Sequence, residues 1–353
     1  MKTASIAVII PFFNRRSTVL DTLDSVAAQT LLPERIVLVD DGSTDDGSQL
    51  VRQWIERQPG PFQCRLEQQA NAGAGAARNR GLQLSGPVEY IAFLDSDDVW
   101  PTDFLVRTHA ALSSSPRAVA ATCNRRLVFV DGRPSKTEDC SGLAACAALW
   151  MLRRGAGVAS MSLFRHAPLA RLGGFDPKIT TGEEDAALFM RVSLEGPWLH
   201  VPGEPVAFHR GLAEKRGGEG NLTDKFHDRH YHWAKTYEDF FTGDGGPLAT
   251  SPRCQRGMAR RWREAGSQLY RHRAFIDALA CFRKSRGWYA WQVSCYLWML
   301  RAWLAMFVGH SAHATEVMPN PANSRSIPAR HEPLGRHDSK RAAAAVSSAQ
   351  SSK

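Results

Sequence analysis

The stretch SIAVIIP, from Ser5 to Pro11, decides how the chain begins to fold. Its central residues are all apolar, which is the pattern of a strand covered on both faces. Apolar positions at helical spacing follow as far as Gln29, and Arg35–Val39 (RIVLV) is a second apolar run, so the start of the chain is typical of a βαβ unit. A helix over Gln49–Glu56 and a strand over Tyr90–Leu94 continue the alternation. The sequence therefore predicts an α/β fold with a largely parallel sheet.

Two of the predicted strands end in clusters of aspartate. Val39 is followed by Asp40-Asp41-Gly42-Ser43, and Leu94 is followed by Asp95-Ser96-Asp97-Asp98. In open α/β sheets, ligands bind outside the carboxyl ends of the strands, where the connecting loops converge. Two acidic loops that meet there repel an anion, but they suit a divalent cation that carries a phosphate. The sequence therefore predicts a site for a metal-bound phosphate at this edge of the sheet.

The middle of the chain gives a coarser pattern. Leu127–Val130 is typical of a strand and Leu143–Leu152 of a helix, and a glycine-rich loop over Gly173–Pro177 precedes the acidic triplet Glu183-Glu184-Asp185. Ala186–Leu194 continues as a helix. We therefore expect the triplet at the helix N-terminus, where the dipole favours negative side chains.

From Arg253 onward the chain is helical, basic and aromatic. Two successive sets of apolar residues at helical spacing predict a helical hairpin. They are Met258, Trp262, Ala265 and Leu269, then Phe275, Leu279 and Phe282. Tyr289–Val308 is rich in Trp, Leu and Met but contains polar residues, so we expect it to lie on a surface rather than to span a membrane. Residues 211–220 are expected to be mobile and residues 310–353 to be disordered.

The composition limits the class of protein. The chain has 353 residues, of which 43% are hydrophobic and 22% charged, so it can bury a core and is not wholly disordered. The net charge of +9 is unevenly distributed: residues 1–252 carry 27 Lys and Arg against 30 Asp and Glu, whereas residues 253–309 carry 11 against 2. Because one late segment holds the excess, and no nucleic-acid-reading motif is present, the sequence argues against a nucleic-acid-binding protein.

The cysteines indicate a reducing compartment. All seven are scattered and none forms a C-x-x-C pair, so the sequence predicts neither a zinc site nor a disulfide framework. Pro11, Asn14, Arg15 and Arg16 interrupt the N-terminal apolar run too early for a signal peptide. We expect a cytoplasmic protein, and a peripheral one at the inner face of the membrane if its basic helices contact lipid.

Four motifs in a fixed order carry a family resemblance. They are Val8–Asn14 (VIIPFFN), Val39–Asp45 (VDDGSTD), Asn71–Gly81 (NAGAGAARNRG) and Phe93–Asp98 (FLDSDD). Together they resemble the nucleotide-sugar half of a family 2 glycosyltransferase, and Gly173–Asp176 with Glu184-Asp185 resembles its acceptor half. The resemblance covers roughly residues 5–210.

The resemblance implies a GT-A fold and an inverting transferase. The catalytic domain would span residues 1–252, with a nucleotide-sugar half over 1–115 and an acceptor half over 116–252, followed by the basic helical segment over 253–309. The enzyme would move a sugar from a nucleotide-diphosphate donor, first of all a UDP-sugar, to a hydroxyl of a surface glycan or lipid-linked acceptor. GDP and dTDP donors stay open, and the alternative function is a non-catalytic homologue that binds nucleotide sugar or glycan.

The resemblance also assigns the donor site. Pro11 and Phe13 match the loop that packs the base, Asp40 matches the position that hydrogen-bonds the uracil edge, and Arg78 matches an arginine that approaches the phosphates. Asp95-Ser96-Asp97 resembles the D-x-D motif, whose first carboxylate lies near the ribose. Its last carboxylate, here that of Asp97, binds the Mg²⁺ or Mn²⁺ that bridges the two phosphates.

On the acceptor side, Asp185 matches the Asp of the family's Glu-Asp pair. It is predicted to be the general base for the acceptor hydroxyl, with Glu184 orienting the acceptor or the loop. Glu183 adds a third carboxylate, so the assignment could shift by one position. Gly173–Asp176 is expected to form part of the acceptor wall, or only a tight turn.

Phe208-His209-Arg210 stands where the family has an aromatic-Arg pair, but the usual downstream histidine is missing. This departure leaves the third metal ligand open. His209 is the candidate substitute, and Arg210 or Lys215 could contact the diphosphate instead.

Two interpretations of the basic helices stay open. Their cationic side chains and interleaved Trp and Tyr could lie on anionic lipid around an apolar face. Alternatively, the hairpin packs against the catalytic domain and its basic face is merely solvated.

Overall fold

The computed structural model describes residues 2–58, 60–129, 131–179, 181–210 and 228–307. The predicted mobile loop over 211–220, Lys215 and the predicted disordered tail over 310–353 lie outside these residues. The strands are β1 (Lys2–Phe12), β2 (Leu31–Asp40), β3 (Gln63–Gln68), β4 (Tyr90–Phe93), β5 (Asp98–Val99), β6 (Ala120–Thr122), β7 (Arg125–Phe129), β8 (Lys136–Glu138), β9 (Ser162–Arg165), β10 (Trp198–His200) and β11 (Val206–Arg210). The helices are α1 (Val19–Ala27), α2 (Gly47–Arg57), α3 (Ala74–Leu84), α4 (Phe104–Ser113), α5 (Gly142–Ala145), α6 (Ala147–Arg154), α7 (His166–Arg171), α8 (Glu184–Val192), α9 (Arg229–Thr242), α10 (Gly246–Ala249), α11 (Pro252–Arg271), α12 (Phe275–Trp288) and α13 (Val293–Phe307).

Seven of the described strands form the central sheet, in the order β10-β6-β9-β4-β1-β2-β3. β1, β2, β3 and β4 are parallel to one another, and β9 is antiparallel to both of its neighbours. Residues Ile6–Ile10 of β1 are wholly buried, as their continuous apolar pattern predicts. The predicted α/β fold with a largely parallel sheet is confirmed.

Helix α3 packs closely against the sheet. Val37, Val39 and Ala77 form a buried cluster between α3 and β2. Gly81 faces β1, and a Cβ atom at this position would overlap the Ile9 side chain. The glycine therefore sets how closely α3 can approach the sheet, and with it the position of the residues on the preceding turn.

Four further strands form a second sheet, β5-β11-β7-β8, which carries the end of the aspartate cluster. Asp98 of β5 pairs with Phe208 of β11. β11 in turn runs parallel to β7, with Val206 opposite Arg125. This sheet therefore places the Phe208-His209-Arg210 segment beside the acidic loop that follows β4.

Two predicted elements differ from the structure. The helix expected over Leu143–Leu152 is wrong as one element, because Cys146 has extended backbone (φ −165°, ψ 101°) and separates α5 from α6. The helix expected from Ala186 begins at Glu184, so Glu184 and Asp185 lie in the first turn of α8. The predicted place of the acidic triplet at a helix N-terminus is confirmed.

The predicted C-terminal hairpin is present as α11 and α12. The apolar residues on both predicted faces are buried. The hairpin also packs against the α/β part of the chain: Arg261 Nε donates to the Leu152 carbonyl oxygen at 2.7 Å, and Gly257 lies against the Leu152 side chain. Among the described helices, none is long and apolar enough to cross a membrane.

Candidate active site

A cavity of about 480 Å³ opens at the carboxyl ends of β1, β2 and β4. These strands are parallel, and β1 lies between the other two, at the point where strand order reverses. Eight of the ten predicted site residues line the cavity: Pro11, Phe13, Arg78, Asp95, Ser96, Asp97, Glu184 and Asp185. The other two, Asp40 and His209, are not among the lining residues, although their chain neighbours Asp41, Phe208 and Arg210 are.

Arg78 of α3 joins three carboxylates in this cavity. Its Nη2 donates to Asp95 Oδ1 at 2.8 Å, and its Nη1 donates to Glu184 Oε1 at 3.1 Å and to Asp185 Oδ1 at 3.0 Å. Burial lowers the pKa of the guanidinium, but the three carboxylates outweigh this effect and raise the pKa above its ordinary value. Arg78 therefore stays charged. The guanidinium therefore ties the predicted donor residue Asp95 to the predicted acceptor residues Glu184 and Asp185.

Asp185 has a carboxyl suited to proton transfer. Burial raises its pKa, Arg78 lowers it, and the charges of Glu184 and Asp95 raise it again, with the result that the pKa is about 7. Its side chain is 18% exposed and lines the cavity. A carboxyl that titrates near neutral pH can be ionised in the resting site and still accept a proton from a bound hydroxyl.

The aspartates after β4 form a cluster with excess negative charge. Burial and the charge of Asp95 raise the pKa of Asp97, and burial together with both neighbouring carboxylates raises the pKa of Asp98 well above its ordinary value. The cation beside Asp97 is Arg15, whose Nε lies 3.9 Å from Oδ2. A cation in this cavity would relieve the repulsion among these carboxylates.

The donor set fits a divalent cation that is shared with phosphate. Asp95 and Asp97 offer hard carboxylate oxygens, and Mg²⁺ is commonly bound by one or two carboxylates together with substrate phosphates. Within the described part of the chain, no three His, Cys, Asp or Glu side chains come together in a way that could hold an ion by themselves. Phosphate oxygens or water would therefore complete the coordination.

His209 and Arg210 approach the acidic loop from β11. The His209 ring Nδ1 lies 3.0 Å from the Asp97 carbonyl oxygen, so this nitrogen donates to the backbone, and His209 does not line the cavity. Arg210 does line the cavity, and its charge lowers the pKa of Asp97. The role of His209 as a metal ligand stays a prediction.

The two aspartates at the end of β2 hold loops in place. The Asp40 carboxylate accepts hydrogen bonds from the Ser43 amide at 2.8 Å, from Gln68 Nε2 at 3.1 Å and from the Ser48 hydroxyl. Burial raises the pKa of Asp40, but these hydrogen bonds outweigh it and keep the pKa below its ordinary value. Asp41, rather than Asp40, lines the cavity. Contact between Asp40 and a base therefore stays a prediction.

The Gly173-Gly174-Phe175 turn is held by Asn79 of α3. Asn79 Nδ2 donates to the Phe175 carbonyl oxygen at 2.7 Å, and the Phe175 amide donates to Asn79 Oδ1 at 2.8 Å. Gly174 has φ +74°, which favours glycine, and a Cβ atom there would overlap the Asn79 amide. These residues do not line the cavity, so the observed contacts fit the tight-turn expectation, and a part in the acceptor wall stays a prediction.

Several cavity residues were not predicted. They are Arg15, Asp41, Arg125, Arg154, Trp233 and Tyr237. Asp41 stands inside the Val39–Asp45 motif and Arg15 directly follows the Val8–Asn14 motif, so the motifs pointed to this part of the site. Trp233 and Tyr237 come from α9, far along the chain and outside any motif, and Tyr237 is positioned by donation from its hydroxyl to the Met151 carbonyl oxygen at 3.1 Å. Only the fold could bring them to the site.

The sequence of this α/β region matches a known family. Residues 7–172 match the model of "Glycosyl transferase family 2". This segment is a family 2 glycosyltransferase domain. A relative in Bacillus subtilis, the "Putative teichuronic acid biosynthesis glycosyltransferase TuaG", is 37% identical over 129 residues, which are 36% of this chain and 50% of the relative. The glycosyltransferase domain of this chain thus has curated relatives that are named for polysaccharide biosynthesis.

Solved structures share the fold of the glycosyltransferase domain and its helices. Staphylococcus aureus TarS 1–349 in complex with UDP-GlcNAc has a TM-score of 0.53 at 17% identity, over 88% of this chain and 92% of that one. The mannosyltransferase PcManGT from Pyrobaculum calidifontis, in complex with GDP-Man and Mn²⁺, has a TM-score of 0.51 at 19% identity, over 86% and 87%. The expected GT-A fold is confirmed. The matched stretch of this chain spans between 14% and 50% of the length of the curated relatives that it matches.

Proposed function

We propose that this protein is a metal-dependent, inverting glycosyltransferase that moves a sugar from a nucleotide-diphosphate donor, first of all a UDP-sugar, to a hydroxyl of a surface glycan or lipid-linked acceptor. One observation carries the proposal: Asp95, Asp97 and Asp185 line a single cavity at the switch point of the sheet, and Arg78 ties the first to the last. The family of the domain and the nucleotide-sugar complexes of TarS and PcManGT support it.

The donor would lie against the loops after β1 and β4. Phe13 offers an aromatic face for the base, and Asp95 and Asp97 would hold Mg²⁺ or Mn²⁺ against the diphosphate. When bound, the metal supplies Lewis-acid stabilisation of the negative charge on the departing diphosphate. Arg210 and Arg15 face the same cavity and add positive charge where the phosphates would lie.

Asp185 would act on the other side of the reacting carbon. The acceptor hydroxyl oxygen attacks the anomeric carbon, the bond from that carbon to the diphosphate oxygen breaks, and the hydroxyl proton passes to the Asp185 carboxylate. Attack from the face opposite the leaving group inverts the anomeric centre. Arg78 would keep the carboxylate in place by its hydrogen bond at 3.0 Å.

The test is donor turnover with matched variants. Nucleotide release is measured across a panel of UDP-, GDP- and dTDP-sugars with Mn²⁺, Mg²⁺ or EDTA, for the wild type, Asp97→Ala and Asp185→Asn. We expect release from one donor that requires metal and falls by about two to four orders of magnitude in Asp185→Asn, the usual contribution of a general base. Asp244→Asn is the control, since Asp244 is an exposed surface carboxylate.

The non-catalytic alternative gives a different result. A binder would retain affinity for one nucleotide sugar, measured by calorimetry, and Asp97→Ala would weaken that affinity, while no acceptor from a glycan or lipid-linked panel would support turnover. Absence of both binding and turnover across the panel would contradict the proposed function.

A further inference from the structure

A second cavity, of about 490 Å³, lies far along the chain from the motifs of the active site, between the turn that joins α11 to α12 and the last described helix, α13. Arg271 and Arg273 reach it from the turn, and Arg301 reaches it from α13. Among the described residues that line it none is acidic, and within the same part of the chain none of the three arginines forms an ion pair with a carboxylate. We call it the three-arginine cavity.

The geometry of this cavity suits an anionic group. The Arg301 guanidinium is stacked over the Trp298 ring at 5.3 Å, and Trp298 in turn packs against Phe282 and Tyr270. Arg273 has φ +65°, the left-handed conformation that closes the turn between the two helices. Guanidinium groups match phosphate oxygens in shape and charge, so three unpaired ones around one cavity favour a phosphate ligand.

An exposed apolar surface adjoins the cavity along α13. Val293, Tyr296, Leu297, Leu300 and Leu304 recur at the spacing of one helix face, and between 45% and 73% of each side chain is exposed. The opposite face, with Cys295 and Ala302, is buried against the hairpin. Leu304 belongs both to the exposed set, which we call the α13 apolar face, and to the wall of the cavity.

From this arrangement we infer that the three-arginine cavity and the α13 apolar face form one docking surface for a bilayer that contains anionic phospholipid. Lipid phosphates would occupy the cavity, while the apolar face enters the boundary between headgroups and acyl chains. Charge complementarity selects this occupant: residues 253–309 carry 11 Lys and Arg against 2 Asp and Glu, and aromatic residues such as Tyr296 are typical of side chains at a membrane interface. The inference does not require the chain to be a transferase.

The test is flotation of the full chain with vesicles, without any sugar donor. Vesicles of phosphatidylcholine alone are compared with vesicles that contain about a third phosphatidylglycerol, so that the anionic headgroup is the variable. The triple variant Arg271→Gln, Arg273→Gln, Arg301→Gln is expected to lose affinity for the anionic vesicles by about a hundredfold, at about tenfold or less for each arginine near the surface. Leu300→Asp should lose affinity at least about tenfold.

Each variant has a matched control. Arg253→Gln, Arg256→Gln, Arg260→Gln removes the same charge from exposed positions on the first half of α11, about 17 Å or more along the helix from the turn, and should cost less than about threefold. Leu194→Asp is the control for Leu300→Asp. It places the same charge at a leucine that follows α8, is 46% exposed and lies far along the chain from the α13 apolar face. Circular dichroism and thermal melts establish that the variants are folded.

Four outcomes would overturn the inference. The wild type fails to bind anionic vesicles; the two arginine triples lose affinity equally, which indicates unspecific attraction; or inorganic phosphate and glycerol phosphate bind the cavity as tightly as vesicles do, which indicates a site for a free anion. The fourth is that Leu300→Asp converts a dimer into a monomer in sedimentation without lipid, because a second copy of this chain then covers the α13 apolar face.

Discussion

Replacement of Arg78 by glutamine should destabilise the fold in a way that depends on pH. The variant keeps a polar side chain, but it is shorter and leaves the carboxylates of Asp95, Glu184 and Asp185 without their cation. Breaking a buried ion pair from one side costs about 3–5 kcal/mol in the free energy of unfolding, because an uncompensated charge stays buried. We expect a loss of this size at about pH 8, and a smaller loss in acid.

The pH dependence follows from Asp185. Its pKa is about 7 in the native protein, above its ordinary value, so it favours the folded state below its unfolded pKa, and this contribution is lost as pH rises through 7. Arg78 is one of the causes that lower this pKa, so Arg78→Gln raises it further. In the folded variant, Asp185 therefore stays protonated to a higher pH than in the wild type. The stability deficit should therefore grow by about 1 kcal/mol between about pH 6 and pH 8.

The assay is denaturant unfolding of wild type and variant in EDTA across this pH range. Arg80→Gln is the matched control, because Arg80 lies on the same helix, pairs with Glu67 and is 40% exposed. It should cost less than about 1 kcal/mol with no trend over this pH range. An Arg78→Gln deficit that is constant from pH 6 to pH 8, or that shrinks as pH rises, would refute the assignment of the raised pKa to Asp185.

The remaining predictions concern catalysis, packing and cysteine chemistry. For the wild-type enzyme, kcat/KM should rise with pH through about 7, since the ionised Asp185 is the active form; an acid limb that is unchanged in Arg78→Lys would argue against this carboxyl as the base. Gly81→Ala should destabilise the fold by about 1–3 kcal/mol through overlap with Ile9, whereas Gly246→Ala, where a Cβ atom meets nothing, should be neutral in thermal melts. A thiol reagent should modify the half-buried Cys146 first and should react with all seven thiols only in denaturant. The reason is that burial raises the pKa of Cys254 and Cys281 to about 12. Fewer than seven reactive thiols in denaturant without reductant would indicate a disulfide.

The sequence predicted the fold of residues 1–115 well because its signals are local. The apolar run of β1 and the aspartates after β2 and β4 report burial and strand ends directly, and parallel strands bring those ends to one edge. The family resemblance assigned the contact with the base to Asp40, whereas Asp41 is the aspartate of this pair that lines the cavity. Asp40 accepts hydrogen bonds from Ser43, Ser48 and Gln68, whereas Asp41 accepts them from Gln69, Ala72 and Gly73. The strand pattern does not report these contacts.

The fold of residues 116–252 was less predictable because it depends on contacts that are distant along the chain. Cys146 breaks a helix that its apolar spacing would allow, and Tyr237 reaches the cavity only because α9 packs on α6 through the Met151 carbonyl. Residues of this kind carry no periodic signal of their own. Their placement is a property of the packed structure, and local sequence alone does not determine it.

Two adjacent residues of α3 explain how the halves are joined. Arg78 reaches Glu184 and Asp185, and Asn79 holds both backbone groups of Phe175, so one helix turn of the donor half positions both ends of the segment that carries the proposed base. That turn is held near the sheet by Gly81 against Ile9. A change in how α3 packs on β1 should therefore move Asp185 relative to Asp95, even though no donor residue is altered. Gly81→Ala should thus lower kcat more than it raises KM for the donor, whereas a purely local packing defect would leave kcat unchanged once the variant is folded.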